Sequence, residues 1–339
     1  MPMPMDDAML DEARRFNDKL AHMPRFGVRS RWMPLVAQAL LRLSQLGADR
    51  KLRRQGLTVA CRVIKEGRVR VPLRIVRPRG PVAGVILDIH GGGWVIGNPQ
   101  MNDVLNAGYA AACNAIVVSV DYRLATRATL PMLMDDCLVA ARWLLRNGLP
   151  ECAGLPVVMI GESAGGHLAA ATLQRLRAEP ALLRRFAGAL LYYGVFDLAG
   201  TPGVHAAGPD TLVLDGPRMV SGLRLLTPGM DDAARRAPAL SPLYGELSGM
   251  PPALMIAGAR DPLQDDTLEL ARRWREVAAV DLQILPEAPH GFIHFPTAMA
   301  RATALHAQEW IRTRFAAGRS SASSGLTHGA EKIELSAFR

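Results

Sequence analysis

Gly161-Glu162-Ser163-Ala164-Gly165 puts a serine at the centre of a G-x-S-x-G, directly after the apolar run PVVMI and directly before AGGHLAAATLQRLR. A chain that passes from strand to helix in so few residues crowds the positions two either side of the serine, and glycine at both relieves the collision. The strained turn holds the hydroxyl proud of the sheet, and the dipole at the start of the next helix favours an anion beside it. The chemistry on offer is nucleophilic attack by Ser163 Oγ, which needs a base to take its proton and an acid to orient that base.

With such a turn the order along the chain is serine, acid, histidine. Downstream lie His167, His205, His290, His294, His306 and His328. His290, in PEAPHGF, follows the final strand pattern and has Gly291 beside it, so its imidazole can reach between nucleophile and leaving group. His294 competes from four residues on, and His167, one turn into the helix after Ser163, reads as structural. A metal pair at His290 and His294 lacks both a third ligand and an HExxH glutamate, so no metal site is expected. For the acid, Asp261 in AGARDPLQDD follows the strand pattern 252–257 and arrives at the same sheet edge as the other two. Asp265 and Asp266 suit the start of the next helix, and Asp197, one strand earlier, is the rival. Donors for a developing oxyanion are offered by His90-Gly91-Gly92-Gly93-Trp94, where consecutive glycines let backbone N–H groups approach a carbonyl. Gly91, Gly93 and Gly97, with Asp121 a strand later, also suggest a dinucleotide loop. That alternative leaves Ser163 and His290 without a role.

These residues need a sheet to stand on. Segments 57–64 and 68–76 alternate apolar and polar and are joined at Glu66-Gly67, which predicts an antiparallel hairpin. Uninterrupted apolar runs follow near 82–89, 115–120, 156–160, 188–193, 252–257 and 281–285, separated by helical patterns, which predicts a largely parallel sheet covered on both faces. Residues 1–50 read as helical segments broken by Pro24 and Pro34, with a methionine-rich apolar surface. Between Asp197 and Leu243 the alternation lapses into an excursion with one helical pattern near 211–226, an inserted cap. The last helix is expected over about 297–315, and the Ser/Gly-rich tail from 318 is expected to be mobile. The resulting organisation is N-terminal cap helices over 1–55, a catalytic domain over 56–317 with its insertion at 198–243, and the tail 318–339.

Composition narrows the function. The 339 residues are 49% hydrophobic and 21% charged, ordinary for a globular protein. The longest apolar runs are too short to span a bilayer, and the start MPMPMDDAMLDEARR has acids where a signal peptide needs basic and apolar regions, so a cytoplasmic location is expected. The net charge of +9 is concentrated in residues 1–80, which hold 18 basic and 7 acidic residues. The arginines over 61–79 alternate with apolar residues as on the wet face of a hairpin, and no aromatic-interleaved basic motif predicts nucleic-acid binding. Lys19, Lys51, Lys65 and Lys332 are the only lysines, so residues 66–331 contain none to serve a P-loop, a pyridoxal Schiff base or a kinase. Cys61, Cys113, Cys137 and Cys152 have no zinc-like spacing and read as buried small hydrophobes in a reducing compartment.

Taken together, HGGGW, VDYRLA, GESAGG, SPLYGELSGMPPALMIAGARDPLQDD and HGFIHF resemble the hormone-sensitive-lipase family of α/β-hydrolase esterases over roughly residues 57–315. The resemblance implies an α/β-hydrolase fold: an eight-stranded, mostly parallel sheet with helices on both faces and a helical cap. It implies Ser163, Asp261 and His290 as a catalytic triad, with the Gly92, Gly93 and Ala164 amides as oxyanion donors. His90, Gly91 and Trp94 would support the loop. It further implies a small acyl ester as substrate and no cofactor. Where the family usually continues YRLA with Pro-Glu, this chain has Thr126-Arg127, which bears on loop packing and substrate access. An amidase, lactonase or deacetylase would use the same parts. A non-catalytic receptor on this scaffold would lack the histidine, which His290 argues against. Monomer and homodimer both remain open.

Overall fold

A computed structural model describes residues 3–27 and 32–334, with side chains to Arg319. The strands are β1 (Thr58–Glu66), β2 (Val69–Arg77), β3 (Gly84–Ile89), β4 (Ala115–Val120), β5 (Val157–Glu162), β6 (Phe186–Tyr192), β7 (Ala253–Gly258) and β8 (Val280–Leu285). They form one sheet in the order β1-β2-β4-β3-β5-β6-β7-β8. β1 and β2 are antiparallel, β2 joins β4 antiparallel, and every other pair is parallel. All eight strands lie where the apolar patterns put them.

The helices are α1 (Asp7–Ala21), α2 (Met33–Ser44), α3 (Ala48–Arg54), α4 (Asp103–Cys113), α5 (Leu130–Trp143), α6 (Ala164–Arg175), α7 (Pro180–Leu183), α8 (Pro202–Ala206), α9 (Met219–Leu226), α10 (Asp232–Arg235), α11 (Gln264–Trp274) and α12 (Ala298–Glu334). The apolar runs of the central strands serve both faces by their period of two. Val85, Leu87 and Ile89 join a core with α5, α6 and α11, whereas Ile86, Val158 and Ile160 join a core with α1, α4 and α12. β4 and β5 flank β3 on opposite sides, so the carboxyl ends of β3 and β5 frame a crevice where the strand order reverses. The HGGGW loop leaves β3 there and Ser163 leaves β5.

Several expectations are corrected. Pro34 does not break a helix but opens α2, at a position where its missing N–H has no partner to lose. The excursion contains three short helices, α8, α9 and α10, instead of one over 211–226. α12 continues past Gly318 to Glu334, and residues 335–339 lie outside those described. Cys61 is exposed because it stands on the edge strand β1; the other three thiols are buried. Arg74 is not on a wet face: α3 and α4 cover it, and its guanidinium donates to both Asp103 oxygens at 2.9 Å and to Asp49 at 2.7 Å. Burial of a guanidinium is tolerable only with carboxylates in reach.

The loop between β4 and α5, which carries Thr126-Arg127, is fastened from below. The buried Asp136 carboxylate on α5 accepts the Arg123 backbone N–H at 2.9 Å and its Nε and Nη2 at 2.8 and 2.7 Å. The Ala125 N–H then donates to Trp94 O at 2.8 Å, tying this loop to HGGGW. Arg127 itself is exposed. Asp136→Ala is therefore expected to cost about 2–3 kcal/mol, the loss of charge-assisted bonds to a buried carboxylate. Urea unfolding would read this, and a midpoint unchanged from the parent would contradict it.

Candidate active site

Ser163 sits at φ 52° and ψ −122°, in the turn between β5 and α6. The two glycines leave no choice of residue: a Cβ on Gly161 would stand 2.4 Å from Gly165 O, and one on Gly165 would stand 2.0 Å from Ile89 O. The Ser163 N–H donates to Tyr192 O at 2.9 Å, which pins the turn to the neighbouring strand. His290 lies in the loop between β8 and α12, and Asp261 in the turn between β7 and α11. Their side chains converge: His290 Nε2 is 2.9 Å from Ser163 Oγ, and His290 Nδ1 is 2.8 Å from Asp261 Oδ2. The other Asp261 oxygen accepts the Leu263 N–H at 2.9 Å, so the carboxylate cannot swing away. Asp197 is turned elsewhere, accepting from Tyr244 Oη at 2.8 Å and Arg236 Nε at 3.1 Å. Asp265 and Asp266 do stand in the first turn of α11.

The HGGGW loop faces this chain of three. Gly92, Gly93 and Trp94 have φ of 104°, 58° and 62°, and a Cβ on Gly92 would meet Ile96 O at 2.1 Å. Only glycine fits that tightness at Gly92. Ala164 is the first residue of α6, so its N–H is one of the amides that a helix leaves without an internal partner. His90 stacks on Tyr122 at 4.2 Å, and Tyr122 Oη donates to His90 O at 2.9 Å. Burial drives the His90 pKa down to about 4, leaving it neutral. The Trp94 indole donates to His167 Nδ1 at 3.3 Å, while His167 Nε2 donates to Leu240 O at 2.7 Å. Burial likewise pushes His167 down to about 4, and its structural role links the loop to α6 and to the segment before residue 241.

A second carboxylate–histidine pair, which the motifs did not reveal, lies beside the first. Glu162 is buried; its Oε2 accepts His294 Nε2 at 2.6 Å and Tyr193 Oη at 3.0 Å, and the Gly91 N–H also bonds its carboxylate. Burial opposes its charge, but His294, Tyr193 and the Gly91 amide prevail and lower its pKa to about 2. Burial also opposes protonation of His294, and Glu162 outweighs it, so the His294 pKa is raised. Tyr193, at φ 36°, lays its ring against His290 edge-on at 4.7 Å. The one sequence signal was a charged residue closing a buried strand. His290 and His294 thus serve different carboxylates.

Above Ser163 opens a cavity of about 1220 Å³, walled by apolar side chains from the N-terminal segment, α9 and the HGGGW loop, with Glu162, Ser163, His290 and His294 on its floor. Phe26 bridges Leu214, joining the N-terminal segment to the excursion.

A model of the α/β-hydrolase fold matches residues 86–294. The chain belongs to this family. It is 32% identical over 241 residues to the carboxylesterase NlhH of Mycobacterium tuberculosis, covering 68% of this chain and 73% of that one. It is 31% identical over 232 residues to an ethyl acetate hydrolase of Pseudomonas putida, covering 66% and 71%. Among solved structures, a hyperthermophilic esterase from the archaeon Pyrobaculum calidifontis superposes with a TM-score of 0.77 at 26% identity, over 92% of this chain and 99% of that one. A hormone-sensitive lipase from a metagenome library gives 0.71 at 26% identity over the same shares. The family resemblance drawn from the motifs is borne out.

The Glu162–His294 pair has a pH signature. The lowered Glu162 pKa contributes stability above its ordinary 4.5 that is lost as pH falls toward about 2. The raised His294 pKa contributes stability below its ordinary 6.5 that is lost as pH rises through the raised value. In Glu162→Gln the His294 ring should titrate at lower pH than in the parent, read from its NMR shifts. The stability gap between the two proteins should be widest between pH 4.5 and 6.5. An unmoved His294 titration would show that Glu162 does not govern it.

Proposed function

We propose that this protein is a carboxylesterase in which Ser163, His290 and Asp261 form a catalytic triad. The observation that carries this reading is the unbroken path from Ser163 Oγ through His290 to Asp261, with contacts of 2.9 and 2.8 Å, on the floor of an apolar cavity. The esterase and ester-hydrolase names of its relatives support the same class of reaction.

In this reading Ser163 Oγ attacks the ester carbonyl carbon while His290 Nε2 takes its proton, and Asp261 steadies the imidazolium through Nδ1. The carbonyl oxygen gains the charge and is met by the N–H groups of Gly92, Gly93 and Ala164. The C–O bond to the alcohol breaks, with His290 returning the proton to the leaving oxygen. A water deprotonated by His290 then attacks the acyl–Ser163 ester, and Ser163 leaves with the proton. No cofactor enters. Four free cysteines support a reducing cytoplasmic setting, and no helix among the described residues is long and apolar enough to cross a membrane.

A fluorophosphonate probe should label Ser163 and fail on Ser163→Ala. Asp261→Asn should lower kcat by about 10⁴-fold, while Asp197→Asn should leave kcat within a few-fold. Labelling elsewhere, or loss on Asp197→Asn alone, would overturn the assignment.

The cap segments set the acyl preference. Leu214, Met219 and Leu223 of the cap line the cavity opposite Val95, Val195 and Leu263 of the catalytic body, and each buried methylene adds about 0.8 kcal/mol, about fourfold in kcat/KM. Hydrolysis of nitrophenyl esters is expected to climb from acetate to a maximum between butyrate and octanoate and then fall. Leu223→Trp should move the maximum to shorter chains; an unchanged profile would show that α9 does not limit the acyl group.

A further inference from the structure

α2 carries an apolar stripe that the body of the protein leaves uncovered. Toward the body it presents Pro34, Ala37, Gln38 and Leu41, with Gln45 at its end; the Gln38 amide exchanges bonds with Gly97 O and N–H at 3.0 and 2.7 Å, and Gln45 exchanges two with the Asn98 amide at 2.9 and 2.7 Å. Away from the body, Trp32, Val36, Leu40 and Leu43 follow one another at spacings of four, four and three along a single stripe, with Leu46 just beyond. Trp32 is 76% exposed, Leu40 and Leu43 are each 62% exposed, and Leu46 is 77% exposed. A surface helix ordinarily buries its apolar stripe and wets its polar one.

The apolar surface does not stop at α2. Trp32 and Leu35 line the cavity from one side, and Leu225, on α9 and 65% exposed, lines it from the other. Residues that are both lining and exposed are the rim of the mouth, so the outward stripe reaches the rim of the cavity above Ser163. Charge accompanies it. From residue 33 to 54 the chain holds Arg42, Arg50, Lys51, Arg53 and Arg54 against Asp49 alone. All five cations are exposed, whereas Asp49 is engaged by Arg74. Arg224 adds a further exposed cation beside Leu225.

We infer that the α2 stripe and its basic flank are an adsorption surface for an anionic lipid interface, on which the protein rests with the mouth of its cavity against the lipid. The apolar row enters the headgroup–acyl boundary and the cations meet lipid phosphates, the arrangement by which a monotopic amphipathic helix binds. Binding is reversible and spans nothing. For the esterase reading, on which only this consequence rests, an acyl ester dissolved in lipid passes Trp32 and Leu225 to Ser163 without crossing water.

The test is co-sedimentation of the full chain with phosphatidylglycerol–phosphatidylcholine vesicles and with pure phosphatidylcholine vesicles, at low and high salt. Wild-type protein should bind the anionic vesicles more than tenfold better than the neutral ones, and salt should weaken the binding. Leu40→Asp/Leu43→Asp should lower binding more than tenfold while hydrolysis of water-soluble nitrophenyl butyrate is unchanged, which also reports that the variant is folded. Arg53→Glu/Arg54→Glu should erase the preference for anionic lipid. The proposal is overturned if wild type ignores anionic vesicles, if the leucine variant binds as wild type does, or if wild type is a dimer that the leucine variant dissociates. In the last case a second copy owns the stripe. Loss of butyrate hydrolysis in wild type would sink the esterase reading alone.

Discussion

At Ser163 the backbone is held at φ 52° and ψ −122°, a conformation that an L residue keeps only when its surroundings over-determine it. What holds it is tight backbone packing around the turn: Gly161 against Gly165 O, Gly165 against Ile89 O and the Ser163 N–H on Tyr192 O. Three parallel strands, β3, β5 and β6, therefore have to stand in register before the turn can exist. The same packing brings the end of β3, and with it the HGGGW loop, against the Ser163 turn. One steric constraint thus fixes both the position of the hydroxyl and the position of the amides that face it.

Around this turn two carboxylate–histidine pairs divide the work of alignment. Asp261 holds His290 from the end of β7, and Glu162 holds His294 from the end of β5. The second pair also takes the Gly91 N–H and Tyr193 Oη, and Tyr193 in turn packs on His290. A buried carboxylate is costly unless its oxygens are satisfied, and Glu162 is satisfied by three separate loops. Its burial therefore fastens the HGGGW loop, the His290 loop and the end of β6 to one another.

The wall over the site is made of segments far apart in sequence, the N-terminal helices and the excursion after β6, joined where Phe26 meets Leu214. α2 is held to the body through side-chain amides and not by an apolar core. This leaves Leu40 and Leu43 outside and its attachment weaker than that of α4, α5 or α6, whose apolar faces are buried against the sheet. The element that borders the mouth is thus bound chiefly through polar contacts that water can replace.

The strands and the elbow were legible in the sequence because both are local: a run such as PVVMI is apolar throughout when both sheet faces are covered, and a sharp turn admits only glycine at its flanks. Ser163, Asp261 and His290 could be singled out by type and by position after the fifth, seventh and eighth strands. Asp261 was favoured over its rival Asp197 by its place in the chain, but both follow a strand, and only the packed loop shows which carboxylate is aimed at His290. Nor could the sequence show that Glu162 and His294, 132 residues apart, form a pair, that Arg74 leaves the wet face of its hairpin, or that α2 turns Leu40 and Leu43 outward. Periodicity tells how many faces a helix has. Which face meets the protein depends on what the rest of the chain offers there, and that is fixed only when distant segments pack.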